Sequence, residues 1–179
     1  MKLETFSSAW PVVRFDDIDS TNEEARRRAS GGDTGPNWLV TGSQTAGRGR
    51  LGRQWSSPRG NLFTTALLPF PGTLQEAALA CFSAGLAVID AARALGVDTG
   101  QLKLKWPNDS MVGDRKISGI LIESNLFNSR VEKSYVGIGL NVNQINFGSL
   151  KSTATSLSNI SGKEYDLDHV CIMIMEWVE

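Results

Sequence analysis

The sequence holds a single histidine, His169, in 179 residues. That scarcity excludes most imidazole chemistry: neither a histidine general base nor a Ser/His/Asp triad has material to work with. Its two cysteines, Cys81 and Cys171, stand in apolar helix-like runs with neither CxxC nor Cys/His spacing. Their setting points to reduced, buried thiols in a cytoplasmic protein rather than to a disulfide framework or a zinc cage. An excess of one charge is missing too, since eighteen basic residues face nineteen acidic ones for a formal charge of −1. The overall field therefore recommends neither DNA nor an anionic membrane as partner. The first fifteen residues carry Lys2, Glu4 and Arg14 but no apolar core with a cleavage site, so no signal peptide is expected. Val170 to Val178 is too short, and is broken by Glu176, to cross a bilayer. Without repeats or a low-complexity linker, the chain is expected to be one domain over residues 1–179. Function must rest on lysine, arginine, carboxylates and backbone groups.

What the sequence does have is a concentrated Gly/Arg segment from Gly42 to Asn61. Gly47, Gly49 and Gly52 allow close backbone approach to a ligand, and Arg48, Arg50 and Arg53 add fixed positive charge. Guanidinium forks and backbone N–H nests both suit phosphate or carboxylate oxygens, so the segment reads as a loop that orders on an anion. A solvated surface loop and an arginine-rich RNA binder are the competing readings.

The loop hangs between two expected strands, Trp38–Thr41 and Leu62–Leu68. Before it, a short strand with Val12, Val13 and Phe15 leads to Ser20-Thr21-Asn22-Glu23, a capping box whose hydroxyls also stand at a helix mouth. Gly31 and Gly32 end that helix. After the loop, Pro69, Pro71 and Gly72 mark a turn, and Thr73-Leu74-Gln75-Glu76 repeats the capping-box pattern. A core helix follows to about Leu95, with Leu74, Ala77, Ala78, Cys81, Phe82, Leu86, Ile89 and Ala92 at helical spacing. Leu102 to Trp106 alternates as a half-exposed strand that Pro107 ends. Asn108-Asp109 reads as a turn pair or as an amide and carboxylate offered to a nucleotide or metal, and Met111–Arg115 as a hairpin-like connection. Lys116 at the entrance of the strand Lys116–Glu123 is either a snorkelling edge charge or an inward point charge. Tyr135–Asn143 is a strand with a bare face at Gly137 and Gly139, continued by Asn141 and Asn143, which are base readers or turn formers. A short helix near Thr155–Asn159 and a final one over Asp166–Trp177 complete the chain.

In order and spacing, Ser20-Thr21-Asn22, Gln44 with Gly47–Arg53, Lys105-Trp106-Pro107-Asn108-Asp109, Lys116–Glu123 and Gly137–Asn143 resemble the biotin protein ligases over nearly the whole chain. The resemblance implies an α+β fold, a central mixed β-sheet flanked by helices, of the biotin/lipoate ligase type related to class II aminoacyl-tRNA synthetase cores. It implies ATP, Mg²⁺ and biotin as reactants. Biotinyl-5′-AMP would form first and be transferred to a lysine of the biotin carboxyl carrier domain of a carboxylase such as acetyl-CoA carboxylase. By position, Lys116, Arg48, Arg50 and Asp109 carry the chemistry, with Asp109 orienting Mg²⁺ or helping to deprotonate the acceptor amine. The biotin side is Ser20, Thr21, Asn22, Gln44, Gly47, Arg48, Arg50, Trp55, Lys116, Gly119 and Gly139, with Trp55 as an apolar lid. The nucleotide side is Arg50, Arg53, Trp55, Asn108, Lys116 and Asn141.

Compared with the longest family members, the chain is expected to lack both the DNA-binding helix-turn-helix domain and the C-terminal SH3-like barrel. Leu51 takes a place that is often basic. A homodimer is among the assemblies the resemblance allows. The rivals are a lipoate or octanoate ligase or transferase, and a non-catalytic module that binds biotin or a nucleotide.

Overall fold

The computed structural model describes residues 8–179, so Lys2 and Glu4 of the leader reading lie outside the described residues. Seven strands form one mixed sheet: β1 Val12–Phe15, β2 Asn37–Thr41, β3 Leu62–Gly72, β4 Leu102–Lys105, β5 Asp109–Val112, β6 Arg115–Phe127 and β7 Arg130–Leu140, in the order β1-β2-β3-β7-β6-β5-β4. β1 and β2 are parallel and every other pair is antiparallel. The helices are α1 Thr21–Ser30, α2 Leu74–Ala94, α3 Leu157–Ser161 and α4 Leu167–Val178.

Strand alternation splits β7 between two faces. Val136, Ile138 and Leu140 enter the larger core with Val88 of α2 and Val170 and Ile174 of α4. Tyr135 belongs instead to a smaller cluster with Ala25 and Ala29 of α1, and Gly137 and Gly139 continue its row. β2 is buried along its whole length because Trp38 and Val40 feed the first core and Leu39 the second. The sheet thus lies between α2 and α4 on one side and α1 on the other, and the site is on the side of α1.

Several expected elements shift. No turn forms at Pro69; β3 runs on to Gly72 with an irregularity between Pro69 and Gly72. Its pairing with β2 stops at Leu67, so beyond that point it is an edge where the missing proline N–H costs little. Residues 109–112 are strand β5, so the connection to β6 shortens to a turn at Gly113-Asp114. β7 stops at Leu140, short of Asn141 and Asn143, and starts at Arg130 after a hairpin whose Asn128 and Ser129 both have positive φ, the geometry of a type I′ turn.

α2 has the capping box at Thr73 and Glu76, and the expected Ala77, Ile89 and Ala92 are buried, but the rest of its buried face is small: Ala84, Gly85, Ala87, Val88 and Ala91. Leu74, Leu79, Phe82 and Leu86 are exposed, and Phe82 stacks on Trp106 at 5.7 Å. Close packing explains the choice, since a Cβ on Gly85 would come within 2.9 Å of Leu104. By length and composition α2 could cross a membrane; here its alanine face rests on the sheet.

Candidate active site

Adjacent strands on the side of α1 place residues in rows. One row runs Phe63, Gly139, Gly119, Asp109 and Lys105 across β3, β7, β6, β5 and β4, and the next runs Thr65, Gly137 and Leu121. These rows floor a cavity of about 830 Å³, roofed by the Gly/Arg loop.

Lys116 reaches this floor because of a bulge. Ser110 pairs with Ser118 but Met111 pairs with Lys116, which leaves Ile117 as the extra residue. A bulge re-aims the side chains before it. Ile117 is therefore fully buried in the larger core, while the Lys116 ammonium lies 4.7 Å from the centre of the Trp55 ring and 2.6 Å from Asp109 Oδ1. The inward reading of Lys116 holds, and the carboxylate beside it comes from the expected turn pair.

The polar end is built on the first turn of α1. Ser20 is its N-cap, yet its side chain makes no capping bond. The expected capping box fails because Asp19 takes the Ser20 N–H at 2.7 Å, and Glu23 turns to Arg26 and Arg48. Arg26's hydrogen bond, with the charges of Arg26, Arg48 and Arg27 behind it, holds Glu23 below the usual carboxylate range against the opposing effect of its burial. The buried Ser20 hydroxyl lines the cavity. Gln44 Oε1 accepts from the Thr21 N–H at 2.9 Å, and Gln44 Nε2 donates to Ser57 at 3.0 Å. Beneath them, the Thr65 hydroxyl donates to Asn22 Oδ1 at 2.7 Å and lies 2.8 Å from the Thr21 hydroxyl. Asn22 Nδ2 donates to Glu123 at 2.9 Å.

The Gly/Arg segment folds back on itself and on the chain before α1. Thr45 and Ala46 N–H groups donate to Ile18 and Asp19, Trp55 N–H to Gly47 and Gly49 N–H to Arg53, around a short 3₁₀ turn at Arg50–Gly52. Gly47 is buried and shapes the loop rather than lining the cavity, because a Cβ there would lie 2.6 Å from the Trp55 carbonyl. Arg48, Arg50, Arg53 and Trp55 do line it. Trp55 rests on the floor: a Cβ on Gly119 or Gly139 would meet its indole at 2.9 or 2.8 Å. The bare glycines thus make room for the indole of Trp55. Arg48 Nη2 is bound by Glu23 at 2.9 Å and Glu123 at 3.3 Å. Arg50 Nη1 donates to Asn108 at 3.4 Å.

The amides expected on the nucleotide side are partly committed to backbone. Asn108 Nδ2 donates to the Ile120 carbonyl at 2.9 Å, and Asn141 Nδ2 to that of Thr155 at 3.0 Å. Asn143 turns away to Tyr165 and Ser158 and acts as a structural joint. The far wall was missed by the sequence reading: Gln144, Phe147, Leu150 and Thr153 line the cavity. That stretch has no periodicity; the bonds of Lys116 N–H to Thr153, of Thr155 N–H to Lys116 and of Asn61 Nδ2 to Gln144 place it there. Thr65 and Glu123 carry no sequence signal beyond that of ordinary strand residues.

The assembly offers the cations Arg48, Arg50, Arg53, Lys105 and Lys116, the carboxylates Asp109 and Asp114, and a hydrogen-bonding pocket at the first turn of α1, all in one trough. Such a trough can hold a ligand with a polar ring at one end and bring its anionic group against a phosphate at the other. Among the described residues no group of three His, Cys, Asp or Glu side chains could cage a metal. One carboxylate such as Asp109 still suits Mg²⁺ held chiefly by phosphate oxygens.

A model of the biotin/lipoate A/B protein ligase family matches residues 15–141. The chain is 42% identical over 127 residues to a biotin--[acetyl-CoA-carboxylase] ligase of Paracoccus denitrificans, covering 69% of this chain and 51% of that one. It is 37% identical over 169 residues to the bifunctional ligase/repressor BirA of Bacillus spizizenii, covering 92% and 51%. The chain thus spans about half the length of these relatives. Among solved structures, the biotin protein ligase of Aquifex aeolicus in complex with biotin and ATP aligns with TM-score 0.79 and 34% identity, covering 93% of this chain and 68% of that one.

Proposed function

The chain belongs to the biotin/lipoate A/B protein ligase family, and from that premise we propose that it carries the catalytic site of an ATP-dependent biotin protein ligase. The observation that carries the reading is the position of Lys116, aimed by a bulge to the meeting point of the glycine floor, Trp55 and Asp109. In the first step a biotin carboxylate oxygen attacks the α-phosphorus of ATP, the bond to the β-phosphate oxygen breaks, and pyrophosphate leaves. Two anions must meet, and Lys116, Arg48 and Arg50 offset their repulsion and the charge that develops on phosphorus. In the second step the neutral ε-amine of an acceptor lysine attacks the carbonyl carbon of biotinyl-5′-AMP, AMP leaves, and the amine proton passes to a base, a role that Asp109 can fill.

Ser20, Thr21 and Gln44 hold the ureido ring, and the alkyl chain runs beside Trp55, Gly119 and Gly139. Arg53, Asn108 and Asn141 stand on the nucleotide side, where Phe147 and Leu150 add an apolar wall for a base. Asp109 would help hold the Mg²⁺ that accompanies ATP, which would neutralise phosphate charge. The acceptor is the biotin carboxyl carrier domain of a biotin-dependent carboxylase, and the setting is cytoplasmic, in keeping with the two free thiols.

Pyrophosphate release from Mg-ATP with biotin, lipoate or neither tests the reading. Release of about one equivalent with biotin alone, held until carrier domain is added, is expected. Release with lipoate alone would move the chain to the lipoate side of the family, and no release with biotin would overturn the proposal.

A further inference from the structure

Glu123 joins Asn22 of the polar end to Arg48 of the loop. Its carboxylate accepts from Asn22 Nδ2 at 2.9 Å and from Arg48 Nη2 at 3.3 Å. Asn22 is locked in turn to the Thr65 hydroxyl, which meets Thr21, which meets Gln44. A continuous path of side chains therefore runs from the ring-binding hydroxyl and amide to the first arginine of the loop, with Glu123 as its joint. Glu23 also holds Arg48, at 2.9 Å, whereas the carboxylate that Asn22 Nδ2 reaches is that of Glu123. Both carboxylates grip the same nitrogen, Nη2, so neither contact uses Nε or Nη1 of the guanidinium, the donors that suit a phosphate oxygen.

We propose that Glu123 is a positioning residue that couples the two substrate ends: a ring bound to Thr21 and Gln44 steadies Asn22, Asn22 steadies Glu123, and Glu123 holds Arg48 in the orientation that receives the nucleotide's phosphates. The inference rests on the ligase reading and adds to it a carboxylate that touches neither substrate. Its consequence is linkage, since whatever one ligand gains from the shared network the other gains as well. The Arg48 pair is partly exposed, with side-chain exposures of 42% and 34%, so the coupling is small, roughly three- to tenfold in affinity.

The test measures binding of α,β-methylene-ATP, which cannot be cleaved at the reacting bond, with and without saturating biotin. The wild-type protein is expected to bind the analogue roughly three- to tenfold more tightly when biotin is present. Glu123→Gln keeps an oxygen for Asn22 and loses the charge that holds Arg48. Its ratio should fall to about one while biotin affinity alone stays within about twofold. Glu23→Gln should weaken the analogue equally with and without biotin and leave the ratio intact. An unchanged ratio in Glu123→Gln, a ratio of one in the wild type, or equal loss of the ratio in Glu23→Gln would overturn the proposal. Failure of the ligase reading is told apart by pyrophosphate release: if biotin-dependent release persists while the ratio does not depend on Glu123, only the coupling is wrong.

Discussion

The floor and the roof of the cavity are built by opposite rules. On the floor, β6 and β7 pair over ten registered positions, and the identity of each residue is dictated by what already presses on it. Gly137 is glycine because a Cβ would lie 2.2 Å from Asn22 Oδ1, and Gly119 and Gly139 because the indole of Trp55 lies on them. In the roof, Leu51 is 87% exposed, and a Cβ on Gly52 would meet nothing within 4 Å. Its residues answer to charge and backbone freedom instead: Leu51 and Gly52 both have positive φ, and three arginines project from a few turns of chain. A rigid floor fixes where the reacting atoms stand, and a lightly packed roof can yield to admit and enclose them.

Substitutions can break this contrast, and the largest effect belongs to the floor. Lys116→Ala should slow pyrophosphate release in a single turnover by about 100-fold or more while biotin affinity changes little, because the ammonium acts on charge that develops in the transition state. Full activity in this variant would leave the bulge in β6 without a catalytic purpose. Next comes Gly137→Ala, whose methyl group has no space. It should destabilise the fold by about 1–3 kcal/mol in chemical denaturation and weaken biotin binding with it; a neutral result would mean that Asn22 yields and that the floor is softer than its packing implies. Smallest for the fold is Arg50→Ala in the roof, with stability expected to stay within about 0.5 kcal/mol. It should still release several-fold more free AMP and biotin per protein-bound product, an estimate from the loss of one exposed charge and lid contact. Tight retention of the intermediate would remove enclosure from the functions of the loop.

Where a pattern is local, the sequence was a good guide. The Thr73 and Glu76 capping box, the alternate glycines of β7 and the strands on either side of the loop all reduce to spacing between near neighbours. The α+β architecture and the gathering of Ser20, Thr21, Gln44, Arg48, Arg50, Trp55, Asn108, Asp109 and Lys116 around one cavity followed from family resemblance rather than from periodicity. What failed depended on distant partners. Ser20 could not be seen to lose its capping partner to Arg26 and Arg48, the second of them 25 residues along the chain from Glu23. The exposed leucines of α2 have the same helical spacing as its buried alanines, and the face pressed on the sheet is the one whose Gly85 admits Leu104 and Ile120. Residues 144–154 join the site through backbone bonds to Lys116, for which side-chain patterns carry no signal.

The space missing from Gly137 is occupied by the amide of Asn22. Positions 115 residues apart by number therefore behave as a single choice with two letters. A larger residue at 137 asks for a smaller one at 22, and either change alone carries a cost that the pair does not add up. For anyone redesigning the pocket toward another acid, the unit of variation on this floor is the pair of positions and never one of them.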